Sequence, residues 1–220
     1  MNLKKIRDTA RYRLNDYEKP YTWLDEELNL YANEAQNLLC REGRLIPDST
    51  TSSVCTIAVK ASTLDYLLDE SVVYVTNAKL TVDSLLLVKY SKMDMDQNYP
   101  DWRSQTAGQP TKYILDYRQG YITLHPPPDT TYTLTLSVLR YPLADMALDA
   151  DEPEIAVQFH HALVDGICYQ AFLKRGEKSF DMRQSDIYLK LFARALAEMK
   201  KSTGLARAAD RSAGPHRGFI

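Results

Sequence analysis

The hydrophobic period of this chain changes twice. Leu3, Ile6, Ala10 and Leu14 recur at helical spacing and predict a first helix from Asn2 to Asn15, with Asn2 as its N-cap. Leu24, Leu28, Tyr31, Ala35 and Leu38 mark a second helix. It opens near a capping-box-like Thr22, Asp25 and Glu26 and ends at Gly43 in the favoured C′ position. From Pro47 to Pro142 the pattern becomes that of short strands. Cys55, Ile57 and Val59 alternate, Val72 to Val75 is β-branched and aromatic, and Leu134, Leu136 and Val138 share one face. Leu85 to Val88 is an apolar run that suits strand or helix, and Ser91 to Trp102 reads as a helical turn followed by loop. Tyr113–Tyr117 and Tyr121–His125 flank Arg118-Gln119-Gly120 as a hairpin, after which three consecutive prolines drive the chain out of the sheet. Such spacing suggests a small sandwich or barrel.

After an acidic linker from Asp145 to Glu152 the helical period returns. Pro153 suits a first helical position, Ile155, Phe159, Leu163, Ile167 and Gln170 trace a face, and Gly176 closes it. Gly166 lies inside this helix, where glycine costs about 1 kcal/mol against alanine, so a neighbour is expected to pack closely there. A fourth helix starts near Ser179 or Asp181. It should bury Tyr188, Leu191, Phe192, Ala195 and Met199 and stop at Gly204. The stretch from Ser202 to Ile220 has too few apolar groups to form its own core. Two readings fit it: a frayed end, or an arm that folds on a partner through Leu205, Arg207, Arg211, Arg217, Phe219 and Ile220, with arginines for carboxylates and Phe219 as anchor.

Composition narrows the function. With 220 residues, 45% hydrophobic and 25% charged, the chain can build a substantial core. A net charge of −2 gives no general attraction to nucleic acid. Pro47 to Ala150 carries 8 Lys and Arg against 12 Asp and Glu, a net of −4, which would repel phosphates. No apolar run approaches the roughly 20 residues of a membrane span, and Met1 to Ile6 lacks a signal-peptide core. The three cysteines, Cys40, Cys55 and Cys168, have no paired spacing and read as buried, reduced thiols from a cytoplasmic site of synthesis. The 15 tyrosines suit either strands or protein interfaces.

Candidate chemistry is sparse. His160, His161 and Asp165 form the one cluster resembling a metal or acid–base site, and a zinc site would need a third converging ligand. Hydrogen bonding on a helix face explains the cluster without chemistry. Gly176-Glu177-Lys178-Ser179 mimics the end of a P-loop but lacks the upstream glycine and follows a helix. Asp94, Asp96 and Asp101 are scattered along a loop and offer at most a weak cation site. No catalytic residue and no cofactor is assigned.

In order, several segments resemble the head-to-tail adaptor proteins of tailed bacteriophages. They are Trp23-Leu24-Asp25-Glu26-Glu27-Leu28 with Tyr31 to Gln36, Pro100-Asp101-Trp102-Arg103 with Gly108 to Tyr113, Gly120 to Pro128 leading to Tyr132–Leu136 and Arg140-Tyr141-Pro142, and Pro153-Glu154-Ile155 with Phe159 to Leu163. The ordered series spans nearly the whole chain. The resemblance implies an α+β protein, with a four-helix bundle from the N- and C-terminal helices, an inserted small antiparallel β domain and an extended C-terminal arm. The boundaries expected are 1–46 and 149–202 for the helical parts, 47–148 for the β domain and 203–220 for the arm. It also implies a homo-oligomeric ring, usually of twelve copies, between the portal protein and a tail or nozzle protein in the virion neck. Genomic DNA would pass through it without specific binding, and the arm would reach the portal. Rival readings are another neck or tail-completion protein, a metal-dependent enzyme using His160, His161 and Asp165, or a cytoplasmic peptide-binding module.

Overall fold

The computed structural model describes the backbone of residues 1–44, 46–176 and 179–212, and side chains as far as residue 202. The chain divides into two units, Met1–Ile46 with Tyr141–Ile220, and Pro47–Arg140.

In the first unit, helix α1 (Leu3–Arg13) starts where the Asn2 side chain accepts a hydrogen bond from the Lys5 N–H at 3.0 Å. Helix α2 (Asp25–Gly43) has Leu24 at its N-cap, so the expected Thr22 box is not the one formed. Instead the Glu27 carboxylate accepts from the Leu24 N–H at 2.9 Å, and Asp25, Glu26 and Glu27 place negative charge in the first turn. At the other end Arg44, rather than a glycine, takes the left-handed conformation (φ 54°), and Gly43 is the last helical residue. Helix α5 (His160–Ala171) begins later than expected. Pro153 lies in irregular chain, and a single 3₁₀ turn over Val157–Phe159 leads into the helix. Helix α6 (Met182–Ser212) is capped by Asp181, whose carboxylate accepts from the N–H groups of Arg183 and Gln184, each at 3.0 Å. Its backbone continues through Gly204, so the predicted stop is overridden by the helix-favouring Leu205 to Ala209 that follow.

These four helices share one core, with Leu3, Ile6, Leu28, Leu39, Leu163 and Ile167 fully buried. Gly166 packs as its position suggested: a Cβ there would lie 2.7 Å from the Cβ of Ala35 and 3.1 Å from the ring of Phe192. On α6, Phe192 and Met199 are buried and Tyr188 and Ala195 partly so. Leu191 is exposed, because at about 100° per residue it falls on the flank of that stripe.

The second unit is built from two four-stranded sheets around a main core, with a smaller buried cluster beside it. Strands β1 (Ile46–Asp48), β2 (Thr56–Val59) and β4 (Val72–Leu80) all pair with β8 (Tyr132–Arg140); β2 and β4 run antiparallel to it. The other sheet runs β3 (Asp65–Leu67), β7 (Tyr121–His125), β6 (Lys112–Ile114), β5 (Val88–Tyr90). The expected hairpin forms, with Tyr113 opposite Leu124 and Gly120 at φ 76°, although β6 stops at Ile114. Two expectations need correction. Ser52–Cys55 is a helical turn (α3) before β2. The domain is also not wholly antiparallel, since β5 and β6 pair in parallel. The connection between them, which carries helix α4 (Lys92–Asn98), is long enough to cross over and bring β6 back in the same direction. Leu85 to Val88 resolves as extended chain, with Leu87 buried and Leu86 and Val88 exposed.

Candidate interaction surfaces

The predicted chemical cluster is dispersed among structural partners. His160 is buried; its Nε2 donates to the Ile155 carbonyl at 3.0 Å, and its Nδ1 therefore accepts from the Met1 amino group at 2.7 Å. Burial holds this imidazole below its ordinary pKa, with the Ile155 hydrogen bond opposing, so the ring is neutral at pH 7. Asp165 pairs with Arg13, and His161 points to solvent. Burial raises the Asp165 carboxyl, and Arg13 counters it. Among the described residues no three His, Cys, Asp or Glu side chains converge to hold a metal. All three cysteines are buried, and none is joined in a disulfide. Burial pushes the Cys168 thiol up to about 12, and burial with the nearby Asp48 carboxylate pushes Cys55 up to about 11.

What the structure places at the ends of elements is scaffolding. Between α1 and α2, Arg11 pairs with buried Asp16 at 2.6 Å and with Asp25 at 2.5 Å, donates to the Trp23 carbonyl at 2.9 Å, and stacks over Tyr21. Arg7 joins Asp25 at 3.2 Å and Asp149 at 2.8 Å. In the second unit Asp48 accepts from Arg140 at 2.6 Å, from the Thr51 hydroxyl at 2.7 Å and from the N–H groups of Thr50 and Thr51. Burial opposes its charge, but these donors prevail and hold the carboxyl far below the usual range.

A second cluster surrounds Trp102, which is fully buried with Met95 and Ile114. Its indole N–H donates to Asp96 at 2.8 Å, Arg103 covers its ring at 4.3 Å and pairs with the same carboxylate at 2.9 Å, and Tyr117 meets it edge-on at 5.2 Å. His125 completes the cluster, 6.4 Å from Trp102 and 5.8 Å from Tyr99. Two of the acidic side chains that suggested a weak cation site therefore have structural partners: Asp96 here, and Asp94 as the capping-box partner of Ser91 at the start of α4. Sequence periodicity missed this site because its members come from three separate segments, each with an unremarkable local pattern.

Exposed apolar groups give the surfaces. In the first unit, Ile187 and Leu191 sit one turn apart on α6 with Phe180 just before it, and Tyr12 and Tyr17 lie at the end of α1 with rings 6.1 Å apart. In the second unit Leu67, Leu86, Val88 and Met93 are exposed. Large exposed side chains grouped on one element are usual at protein interfaces. Of the arm residues, Leu205, Arg207 and Arg211 lie on the α6 backbone, their side chains beyond those described; Arg217, Phe219 and Ile220 lie outside the described residues.

The family model for the SU10 adaptor protein matches residues 1–218. The chain belongs to the SU10 adaptor protein family. This is a phage head-to-tail adaptor family, the class that the ordered segments resemble. The SU10-family adaptor is accordingly a structural virion protein. No curated protein matches it significantly. Among its described residues, no helix is long and apolar enough to cross a membrane. The Trp102 and His125 segments that carry part of the resemblance are packing residues of the second unit, and His160 is one of the first.

Proposed function

We propose that this SU10-family adaptor forms a closed ring, of twelve copies, that docks on the portal protein, links it to a tail or nozzle protein and lines part of the DNA channel in the virion neck. The observation that carries this reading is the family match over residues 1–218. A ring requires heterologous contacts that close by rotation, so each copy needs two different surfaces. The exposed groups on α6 and those at the end of α1 are two such surfaces on one unit. The acidic balance of Pro47–Ala150 favours passage of DNA over its capture.

Residues 203–220 are the portal contact in this reading, with Arg207, Arg211 and Arg217 pairing with carboxylates and Leu205, Phe219 and Ile220 as apolar anchors. Each copy offers three arginines and three large apolar side chains there, so a single contact is weak. A ring of identical arms recovers the strength through effective concentration. Co-sedimentation with the portal ring tests the contact: Arg217→Glu with Phe219→Ala should release the adaptor while its own thermal unfolding stays unchanged. Full co-sedimentation of that variant would overturn the arm assignment.

A further inference from the structure

A groove of about 750 Å³ opens in the second unit beside the first residues of β4. Leu68, Val72, Val73, Leu115 and Tyr121 give it an apolar floor, and Leu67, 65% exposed, stands at its margin. Its charged lining is unbalanced: Asp69, Glu70 and Asp116 face one cation, Lys89. That ammonium is already held by the Tyr74 hydroxyl at 3.2 Å and lies over the Tyr74 ring.

The groove follows a strand edge. One side of β4 pairs with β8 along its length. Among the described residues its other side is met only near the far end, where Leu87 N–H donates to the Ala78 carbonyl at 2.9 Å and Lys79 bridges to Leu86. Among the described residues, Val72, Val73 and Val75 have no strand on that side. A register shift between Val72 and Tyr74 also leaves Val73 out of the ladder with β8. Natural sheets guard such edges with lysine or proline. The segment Val72-Val73-Tyr74-Val75-Thr76 carries neither, and its composition is strongly β-favouring. The Val72 N–H donates to the Asp69 carbonyl at 3.0 Å, so the edge begins at Val73; a strand edge without a paired strand, beside an apolar groove, matches an added peptide strand better than a small molecule.

We propose that this groove receives an extended segment of a partner protein as an added strand on β4. Alternate apolar side chains of that segment seat against Leu68, Val73 and Leu115, and a lysine or arginine beside them pairs with Asp69, Glu70 and Asp116. The assignment goes beyond the adaptor reading and does not depend on portal docking, because it holds or fails on the isolated protein.

The probe is a fluorescein-labelled peptide of alternating valine and threonine with lysine at both ends, titrated with full-length protein and read by anisotropy. Saturable binding is expected. A version with glutamate for lysine, and a version with proline for the central valine, should each bind about tenfold more weakly or less. Glu70→Gln with Asp116→Asn, both exposed, should weaken the lysine peptide by a similar factor; the amide oxygen at position 116 keeps the acceptor for the Lys92 N–H, so unfolding should stay unchanged. No saturable binding, equal binding of the three peptides, or indifference to the double variant would overturn the proposal. Tighter binding of a peptide copying residues 213–220 would also overturn it, giving the groove to this chain rather than to a partner.

Discussion

Gly166→Ala tests how the helices of the first unit are packed. The added methyl would lie 2.7 Å from the Cβ of Ala35 on α2 and 3.1 and 3.3 Å from two ring carbons of Phe192 on α6. Carbon atoms prefer about 3.5–4.0 Å, so the contact with Ala35 is roughly 1 Å too close. A methyl fixed to the backbone cannot rotate away; α2 or α5 must move, at an overpacking cost of about 1–3 kcal/mol. Alanine is about 1 kcal/mol better than glycine inside a helix, which offsets part of that cost. The expected net loss is up to about 2 kcal/mol, too broad a range to decide anything alone. The double-mutant cycle with Ala35→Gly is sharper, because removing the Ala35 methyl removes the worst contact and leaves the helix gain at position 166 against the milder contacts with the Phe192 ring. Urea unfolding of the wild type, both single variants and the pair should give a coupling of about 1–3 kcal/mol. A coupling under about 0.5 kcal/mol, the level of independent sites, would refute the close approach of α2 and α5 at Gly166.

Other outcomes follow from the second unit and the thiols. Asp48→Ala should cost about 3–5 kcal/mol in chemical unfolding, since it strips buried Arg140 of a carboxylate and three further donors of their acceptor. Because the folded-state pKa of Asp48 is depressed, its contribution is complete above the unfolded value of about 3.9 and is lost as pH falls below it; the variant should show a shallower loss of stability on acidification. Trp102→Ala should cost about 3–5 kcal/mol and release Arg103 and Tyr117, measurable as lost near-ultraviolet circular dichroism. The three thiols should resist a disulfide-exchange reagent at pH 8 in the native protein and all react once it is unfolded, since burial of Cys55 and Cys168 suppresses their thiolates.

The helices were legible where one stripe had to face one core. Leu3, Ile6 and Ala10 on α1, and Leu28 and Ala35 on α2, are buried at the spacing their sequence shows, whereas Leu24 and Leu38, expected on the α2 face, are exposed, and Leu39, one position on, takes the core place. Ends were less legible because they depend on local competition. Pro153 is compatible with a helix start, yet the chain stays irregular to Ala156; Gly204 could end a helix, yet good helix formers carry the backbone past it. The hairpin at Gly120 is written in adjacent residues, whereas the parallel pairing of β5 with β6 joins segments separated by α4 and a long loop, which no local pattern encodes. The same holds for Trp102. Its neighbours Asp96, Tyr117 and His125 become a cluster only after the crossover is made. The exposed groups on α6 were not legible, since an exposed Ile187 and a buried Phe192 look alike until the stripe's centre is known, and Leu191 was expected inside.

The adaptor assignment is tested most directly by electron cryo-microscopy of the full-length protein mixed with the portal ring of its own phage. It predicts a ring of this protein beneath the portal, with density from residues 203–220 running onto portal subunits, and loss of that ring when those residues are deleted. Bare portal rings with the full-length protein, or undiminished binding after the deletion, would contradict it.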